Sequence, residues 1–306
     1  MTTLVFGHTS PDTDSTGSPI IWAWYLNDIL GQPAKPVLLG KPNTEASFML
    51  DHWKVAEPEI IEDVADNAPV VLVDTNNPDE LPANIHNADI RAIIDHHKLV
   101  GGLKTTEPIA ITIRPLACAA TILLDLMGDH REQLPAWGKG IALTCILSDT
   151  LAFRSPTTTD WDISVAEKLA KEVGVNIADY SSQMFAAKSD VSSFSSAELL
   201  RMDSKQYAVG EKNLRVSVLE TTSPATILAR KNDLMMTMEN VAREDGVDQV
   251  LLFVVDILAE QSTLLVPNAL VKSIAENSFG VSVTGDAVIL PNVVSRKKQI
   301  LPSLRL

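Results

Sequence analysis

PVVLVDTN, residues 69–76, sets an unbroken apolar run directly against a carboxylate. The run does not alternate, which is the pattern of a strand covered on both faces, as in a parallel sheet. Asp74 then falls at the carboxyl end of that strand. LVFG (4–7), PVLLG (36–40), IRAIIDHH (90–97) and IAITIRP (109–115) are short runs of the same kind. Helical patterns separate or follow them: one running to Leu30 with Pro19 in its first turn and Gly31 as its stop, then 117–127, 138–147 and 164–174. Strands alternating with helices imply βαβ units, so the expected class is α/β, with an N-terminal, mostly parallel sheet flanked by helices. The Ser-rich stretch 189–195 reads as a linker, dividing a domain at 1–188 from a smaller one at 196–306. In the second, 205–220 reads as a hairpin turning near Gly210, and 223–244 as one long amphipathic helix with Ser223 as N-cap and Pro224 at its first position. Strands over 248–258 and 262–267 and a helix ending near Gly280 complete a second α/β domain with a mixed sheet.

The chain has 306 residues, 45% of them hydrophobic, enough to fill more than one core. Its net charge of -14 and pI near 4.8 repel phosphate backbones and argue against nucleic acid as a partner. Cys118 and Cys145 each sit in an apolar stretch with no CxxC spacing, which reads as two free thiols in a reducing compartment. Met1-Thr2-Thr3 carries no basic leader, and the longest apolar run is broken by Asp256. The expectation is a cytoplasmic protein with no membrane partner.

GHTSPDTD (7–14) brings His8, Asp12 and Asp14 to the end of the first strand. Asp74 ends another, Asp95-His96-His97 a third, and Asp149 ends the apolar helix CILSDT. In open α/β sheets, sites lie outside the carboxyl ends of the strands. Pro-Asp-Thr-Asp alone is also turn chemistry, and Asp14 alone could be a helix cap. Gathered at one edge, His8, Asp12, Asp14, Asp74, His96 and Asp149 form a set of oxygen and imidazole donors suited to Mn²⁺, Fe²⁺ or Co²⁺. Six donors suit two ions, and the four carboxylates among them balance two divalent charges. There is no G-x-x-x-x-G-K-[ST], G-x-S-x-G or H-E-x-x-H, which removes the P-loop, α/β-hydrolase and zincin readings. The basic run Arg296, Lys297, Lys298 in SRKKQ (295–299) stands out in so acidic a chain; it is either a solvated turn or a grip for phosphate oxygens.

GHTSPDTD, VDTN, DHH and SDT, in that order, resemble the DHH phosphoesterase superfamily, and SRKKQ narrows the resemblance to the manganese-dependent (family II) inorganic pyrophosphatases. The resemblance covers essentially the whole chain and implies a DHH domain followed by a DHHA2-type domain. It implies hydrolysis of inorganic pyrophosphate to two phosphates by a hydroxide bridging two metals. One metal would take His8, Asp12, Asp74 and Asp149, the other Asp14, Asp74, His96 and Asp149, with Asp74 and Asp149 shared. Two Mn²⁺ per subunit are implied, Co²⁺ serving also, with Mg²⁺ arriving on the substrate. His97, Lys205, Arg296 and Lys297 are implied as catalytic and substrate contacts, and a homodimer through the N-terminal domain as the assembly. One departure is that the second motif often reads DHN where this chain has Asp74-Thr75-Asn76, so a histidine near the metals is absent.

The competing reading keeps the metals and changes the substrate, to a phosphodiesterase or exopolyphosphatase acting on short oligonucleotides or polyphosphate. Those phosphodiesterases carry a glycine-rich motif in a different C-terminal domain, whereas Gly210, Gly246, Gly280 and Gly285 here are isolated. A regulatory protein without turnover would suit a degraded ligand set, and this set is whole.

Overall fold

A computed structural model describes residues 1–306, which separate into two compact units, Met1–Lys188 and Ser189–Leu306. The first unit runs β1 (Thr3–Phe6), α1 (Thr13–Trp24), β2 (Ala34–Leu38), α2 (Thr44–Trp53), β3 (Glu59–Ile60), β4 (Pro69–Val73), β5 (Asp89–Asp95), β6 (Ala110–Ile113), α3 (Ala119–Met127), α4 (Ala136–Asp149), α5 (Asp160–Val173) and α6 (Ile177–Lys188). Its six strands are all parallel, in the order β3-β2-β1-β4-β5-β6. The continuous apolar runs mark the middle of this sheet, with Val5, Phe6 and Val70–Val73 all buried. One face packs Phe6, Leu72 and Ile93 against Val64, Leu81 and Ile85, which lie outside the longer helices; α1 packs on β1 and β2 and carries α3 and α4 with it. An α/β fold with a parallel sheet is therefore what the sequence pattern encodes.

The first helix begins earlier than Pro19 suggests. Asp12 caps it, its Oδ1 accepting from the Ser15 N–H at 2.9 Å, so Pro19 sits inside α1. The helix then widens into a π turn over Tyr25–Ile29. The side-chain cap decides the helix start, and Pro19 is carried inside the helix at the cost of one i→i−4 hydrogen bond.

The second unit runs α7 (Ser196–Met202), β7 (Ser204–Val209), β8 (Lys212–Thr221), α8 (Pro224–Leu228), α9 (Lys231–Glu244), β9 (Gln249–Asp256), β10 (Gln261–Leu265), α10 (Ala269–Phe279) and β11 (Ala287–Pro291). Its sheet, β11-β10-β9-β8-β7, is mixed: β8 and β9 are parallel and the other pairs antiparallel. β9 is buried on both faces. Leu251, Phe253 and Val255 pack with Val271 and Ile274 of α10, while Val250, Leu252 and Val254 pack with Leu199 of α7 and Leu234, Met238 and Val241 of α9. The stretch 223–244 is two helices, not one, and the Ser223 side chain makes no cap bond. Arg230 interrupts it, its guanidinium donating to the Val191 and Phe194 carbonyls at 2.9 and 2.7 Å and fixing the chain there. No helix is long and apolar enough to cross a membrane.

Within the first unit, α4 lies so close to α2 that a Cβ on Gly140 would come within 2.2 Å of the Trp53 ring. The indole N–H of Trp53 donates to Thr144 Oγ1 at 3.0 Å and Tyr180 OH at 2.9 Å; burial pushes the Tyr180 hydroxyl up to about 12, so it stays neutral. On an open helix Gly→Ala gains about 0.5–1 kcal/mol. Here Gly140→Ala should instead lose about 1–3 kcal/mol through overpacking. Denaturant unfolding followed by tryptophan fluorescence will read it, since Trp22, Trp24, Trp53, Trp137 and Trp161 all lie in the first unit.

Candidate metal centre

The strand order reverses between β1 and β4: β2 and β3 lie to one side, β5 and β6 to the other. Such a switch point leaves a crevice at the carboxyl ends of the central strands. His8 follows β1, Asp74 follows β4 immediately, and His96 and His97 follow Asp95, the last residue of β5.

The turn from β1 into α1 is tight. Ser15 Oγ accepts from the His8 N–H at 2.8 Å, and a Cβ on Gly7 would lie 2.0 Å from that oxygen, so only glycine fits. Asp12 turns its other oxygen toward His8 Nε2, at 3.8 Å. Burial alone would raise the Asp12 carboxyl, but His8, the Ser15 N–H and the Lys188 charge together hold it below the usual range. Asp14, two residues on, is buried and fixed: it accepts from Ser18 Oγ at 2.5 Å and from the N–H groups of Ala119 and Ala120 at 2.6 and 3.3 Å. Those amides open α3 and present its positive end to the carboxylate.

Asp74 stands at the centre. Its backbone is left-handed, φ +60°, a conformation that Asp tolerates better than most residues. One oxygen faces His96 Nε2 at 3.1 Å and the other faces His8 Nε2 at 3.5 Å. Asp95 lies beneath, fully buried; its Oδ1 accepts from the His96 and His97 N–H groups at 2.7 and 3.0 Å and meets His97 Nδ1 at 2.9 Å. Asn76 donates to Asp95 Oδ2 at 2.5 Å and accepts from the Val100 N–H at 2.8 Å, clamping the loop after β5. Burial alone would raise the Asp95 carboxyl, but His97 and Asn76 hold it low. Asp149 ends α4, its Oδ2 buried with no hydrogen-bond partner. The chain leaves it through Leu151, Ala152 and Phe153, all left-handed with φ from +48° to +71°.

Three overlapping groups result, each with its ligand atoms within 4.8 Å of one another: Asp74, Asp95, His96 and His97; His8, Asp12 and Asp74; and Asp14, His96 and Asp149. Asp74 and His96 are shared between groups. Burial, then the charges of Asp14 and its neighbours, push Asp74 and Asp149 well above the ordinary carboxylate range. A divalent cation would relieve that repulsion, and the orphaned Asp149 oxygen offers it a ligand; oxygen and imidazole donors fit a manganese-type ion. Neither thiol belongs to these groups.

The first unit thus brings His8, Asp12, Asp14, Asp74, His96, His97 and Asp149 together. Lys205, Arg296 and Lys297 belong to the second unit. Arg296 opens a single π-helical turn, Arg296–Ile300, and donates from Nη1 to Asp203 Oδ1 at 2.8 Å and to its carbonyl at 2.9 Å. That sets it beside the start of β7, where Lys205 is exposed, as is Lys297. Asn76 is the residue that sequence reasoning passed over; its position straight after a strand-end Asp-Thr was the only signal.

The model described as DHH family, N-terminal domain, matches residues 2–148, and the DHHA2 domain matches residues 182–306. The manganese-dependent inorganic pyrophosphatase of Bacillus subtilis is 34% identical over 303 residues, spanning 98% of this chain and 97% of that protein. The chain belongs to the manganese-dependent inorganic pyrophosphatase family. A second member, from Methanocaldococcus jannaschii, is 35% identical over 309 residues, again covering 98% and 97%. The crystal structure of a family II inorganic pyrophosphatase candidate from Methanococcus jannaschii superposes with a TM-score of 0.61 at 35% identity, over 98% of this chain and 97% of that one. Family membership spans both units.

The raised carboxyls of Asp74 and Asp149 have a sign. They stay protonated to higher pH in the folded chain than unfolded, so folding takes up protons above the ordinary carboxylate value. Their contribution is full at low pH and is lost as pH rises through the raised values. Chelated protein should melt at lower temperature as pH goes from about 5 to about 8, and added Mn²⁺ should raise the melting temperature most at the upper end. A calorimetric series with and without Mn²⁺ checks this; a flat chelated profile would contradict it.

Proposed function

We propose that this chain hydrolyses inorganic pyrophosphate to two phosphates. It does so with two divalent cations held by His8, Asp12, Asp74 and Asp149 and by Asp14, Asp74, His96 and Asp149. The observation that carries the reading is Asp74, whose two oxygens face different imidazoles at the sheet's switch point. The names of the relatives favour Mn²⁺. Co²⁺ shares its preference for oxygen and imidazole donors, and Mg²⁺ would accompany the substrate's phosphates. Bound there, such cations acidify water toward neutral pH and offset charge on phosphate oxygens.

The side chains do the rest. Asp95 holds His97 through Nδ1, which directs Nε2 outward from a half-exposed ring, where it can contact a phosphate oxygen and hold or release a proton. Arg296 can grip two phosphate oxygens at once, and Lys205 and Lys297 add point charges that oppose the growing negative charge of the leaving phosphate. The Asp203 contact keeps the Arg296 guanidinium extended beside β7 until phosphate competes for it. No side-chain nucleophile is needed.

Strand β6 ends the first sheet with one edge unpaired and Ile111 exposed, which supports a homodimer through the N-terminal domain. Two buried free thiols suit the cytoplasm.

Chelated protein given Mn²⁺, Co²⁺, Mg²⁺ or Zn²⁺ separately should release phosphate from pyrophosphate fastest with Mn²⁺ or Co²⁺. Tripolyphosphate and a dinucleotide run alongside should be poor substrates, and preference for either would overturn the assignment. Asp149→Asn and His96→Gln should each lower turnover beyond the ~10–100-fold that loss of an outer partner costs, with Mn²⁺ binding weakened in parallel. Arg296→Ala should lower kcat/KM about 10–100-fold, the worth of a charge-assisted hydrogen bond, with Mn²⁺ affinity unchanged.

A further inference from the structure

Glu45 lies in the first turn of α2 and is completely buried. Asn43 caps that helix and donates its own N–H to the Pro11 carbonyl at 3.1 Å, which carries the helix start under the loop bearing Asp12. One carboxylate oxygen of Glu45, Oε2, accepts three hydrogen bonds: from Thr13 Oγ1 at 2.9 Å, Ser148 Oγ at 2.7 Å and Lys188 Nζ at 3.0 Å. The other, Oε1, is buried and has no partner.

The donors are informative. Thr13 stands between Asp12 and Asp14, and Ser148 immediately precedes Asp149. A single oxygen therefore joins the first turn of α1 to the last turn of α4, the two segments that carry three of the candidate ligands. Around it the same two helices are in close register. Cys145 Sγ donates to the Thr13 carbonyl at 3.3 Å, and a Cβ on Gly17 would lie 2.4 Å from that sulfur. Adhesion alone would be served better by an apolar side chain, because a buried carboxylate carries a desolvation penalty that its partners only offset. Lys188, the last residue of α6, supplies the opposing charge. What a carboxylate offers beyond packing is a fixed acceptor for two hydroxyls at once, holding the ligand-bearing backbones to within the few tenths of an ångström that a metal site demands.

Resting on the metal-binding reading above, we infer that Glu45 is a positioning residue for the metal centre, acting through Thr13 and Ser148 with Lys188 as its counter-charge. It touches neither metal nor substrate.

The test measures Mn²⁺ binding to chelated protein by titration calorimetry and the visible absorption of the Co²⁺ form, on variants whose folding is confirmed by circular dichroism. Glu45→Ala should weaken Mn²⁺ about 10–100-fold and shift the Co²⁺ bands. Glu45→Gln keeps a carbonyl oxygen able to accept both hydroxyls and should recover most of the affinity and the original bands. Ser148→Ala, which removes one link without emptying the core, should weaken Mn²⁺ about 2–10-fold, the worth of one hydrogen bond. A folded Glu45→Ala with the parent affinity and spectrum overturns the inference, as does Glu45→Gln behaving no better than Glu45→Ala. Should Glu45→Ala fail to fold, an unchanged affinity in Ser148→Ala overturns it alone. If the parent protein itself takes up no Mn²⁺, the metal reading falls and this inference with it, a result distinct from all the others.

Discussion

Like charges crowded into a buried crevice are the constraint to which the first unit answers. Asp12, Asp14, Asp74 and Asp149 converge where the sheet reverses its winding, and Asp74 and Asp149 are pushed toward protonation by burial and then by the charges of Asp14 and its neighbours. A chain selected for stability alone would not gather them. The surroundings contain the repulsion: the amide end of α3 faces Asp14, the Ser15 N–H faces Asp12, and histidines take both oxygens of Asp74.

The same region holds backbone strain. Asp74 is left-handed at the end of a strand, and Leu151–Phe153 form a left-handed turn after α4, at roughly 1–2 kcal/mol per residue. The turn is held by bonds from the Ala152 N–H to the Leu147 carbonyl and from the Ser155 N–H to the Thr150 carbonyl, at 2.8 Å each. Such strain gathers where geometry matters more than comfort. It falls on Asp74 itself at the strand end and, after α4, on the turn that leads the chain away from Asp149.

Much of this was legible in the sequence. The unbroken run before Asp74 encodes a strand buried on both faces, and a carboxylate straight after it marks the functional edge. What stayed illegible has physical causes. Pro19 resembles a helix start, yet a side-chain cap seven residues earlier is stronger than a fixed φ. The break at Arg230 depends on carbonyls of Val191 and Phe194, far away in sequence, and no local propensity encodes them. Glu45 looks like an ordinary first-turn acid, because its importance comes from partners at 13, 148 and 188 that only tertiary structure brings near.

The clustered side chains are drawn from positions 8 to 149, one to three from each contributing strand or helix end. No shorter stretch of the polypeptide contains all three groups. During synthesis, then, the donors at positions 8 to 97 emerge first, and the group that needs Asp149 can assemble only when nearly half the chain has left the ribosome. The complete set of donors therefore waits for α4, while α5 and α6 of the first unit still follow it in the chain.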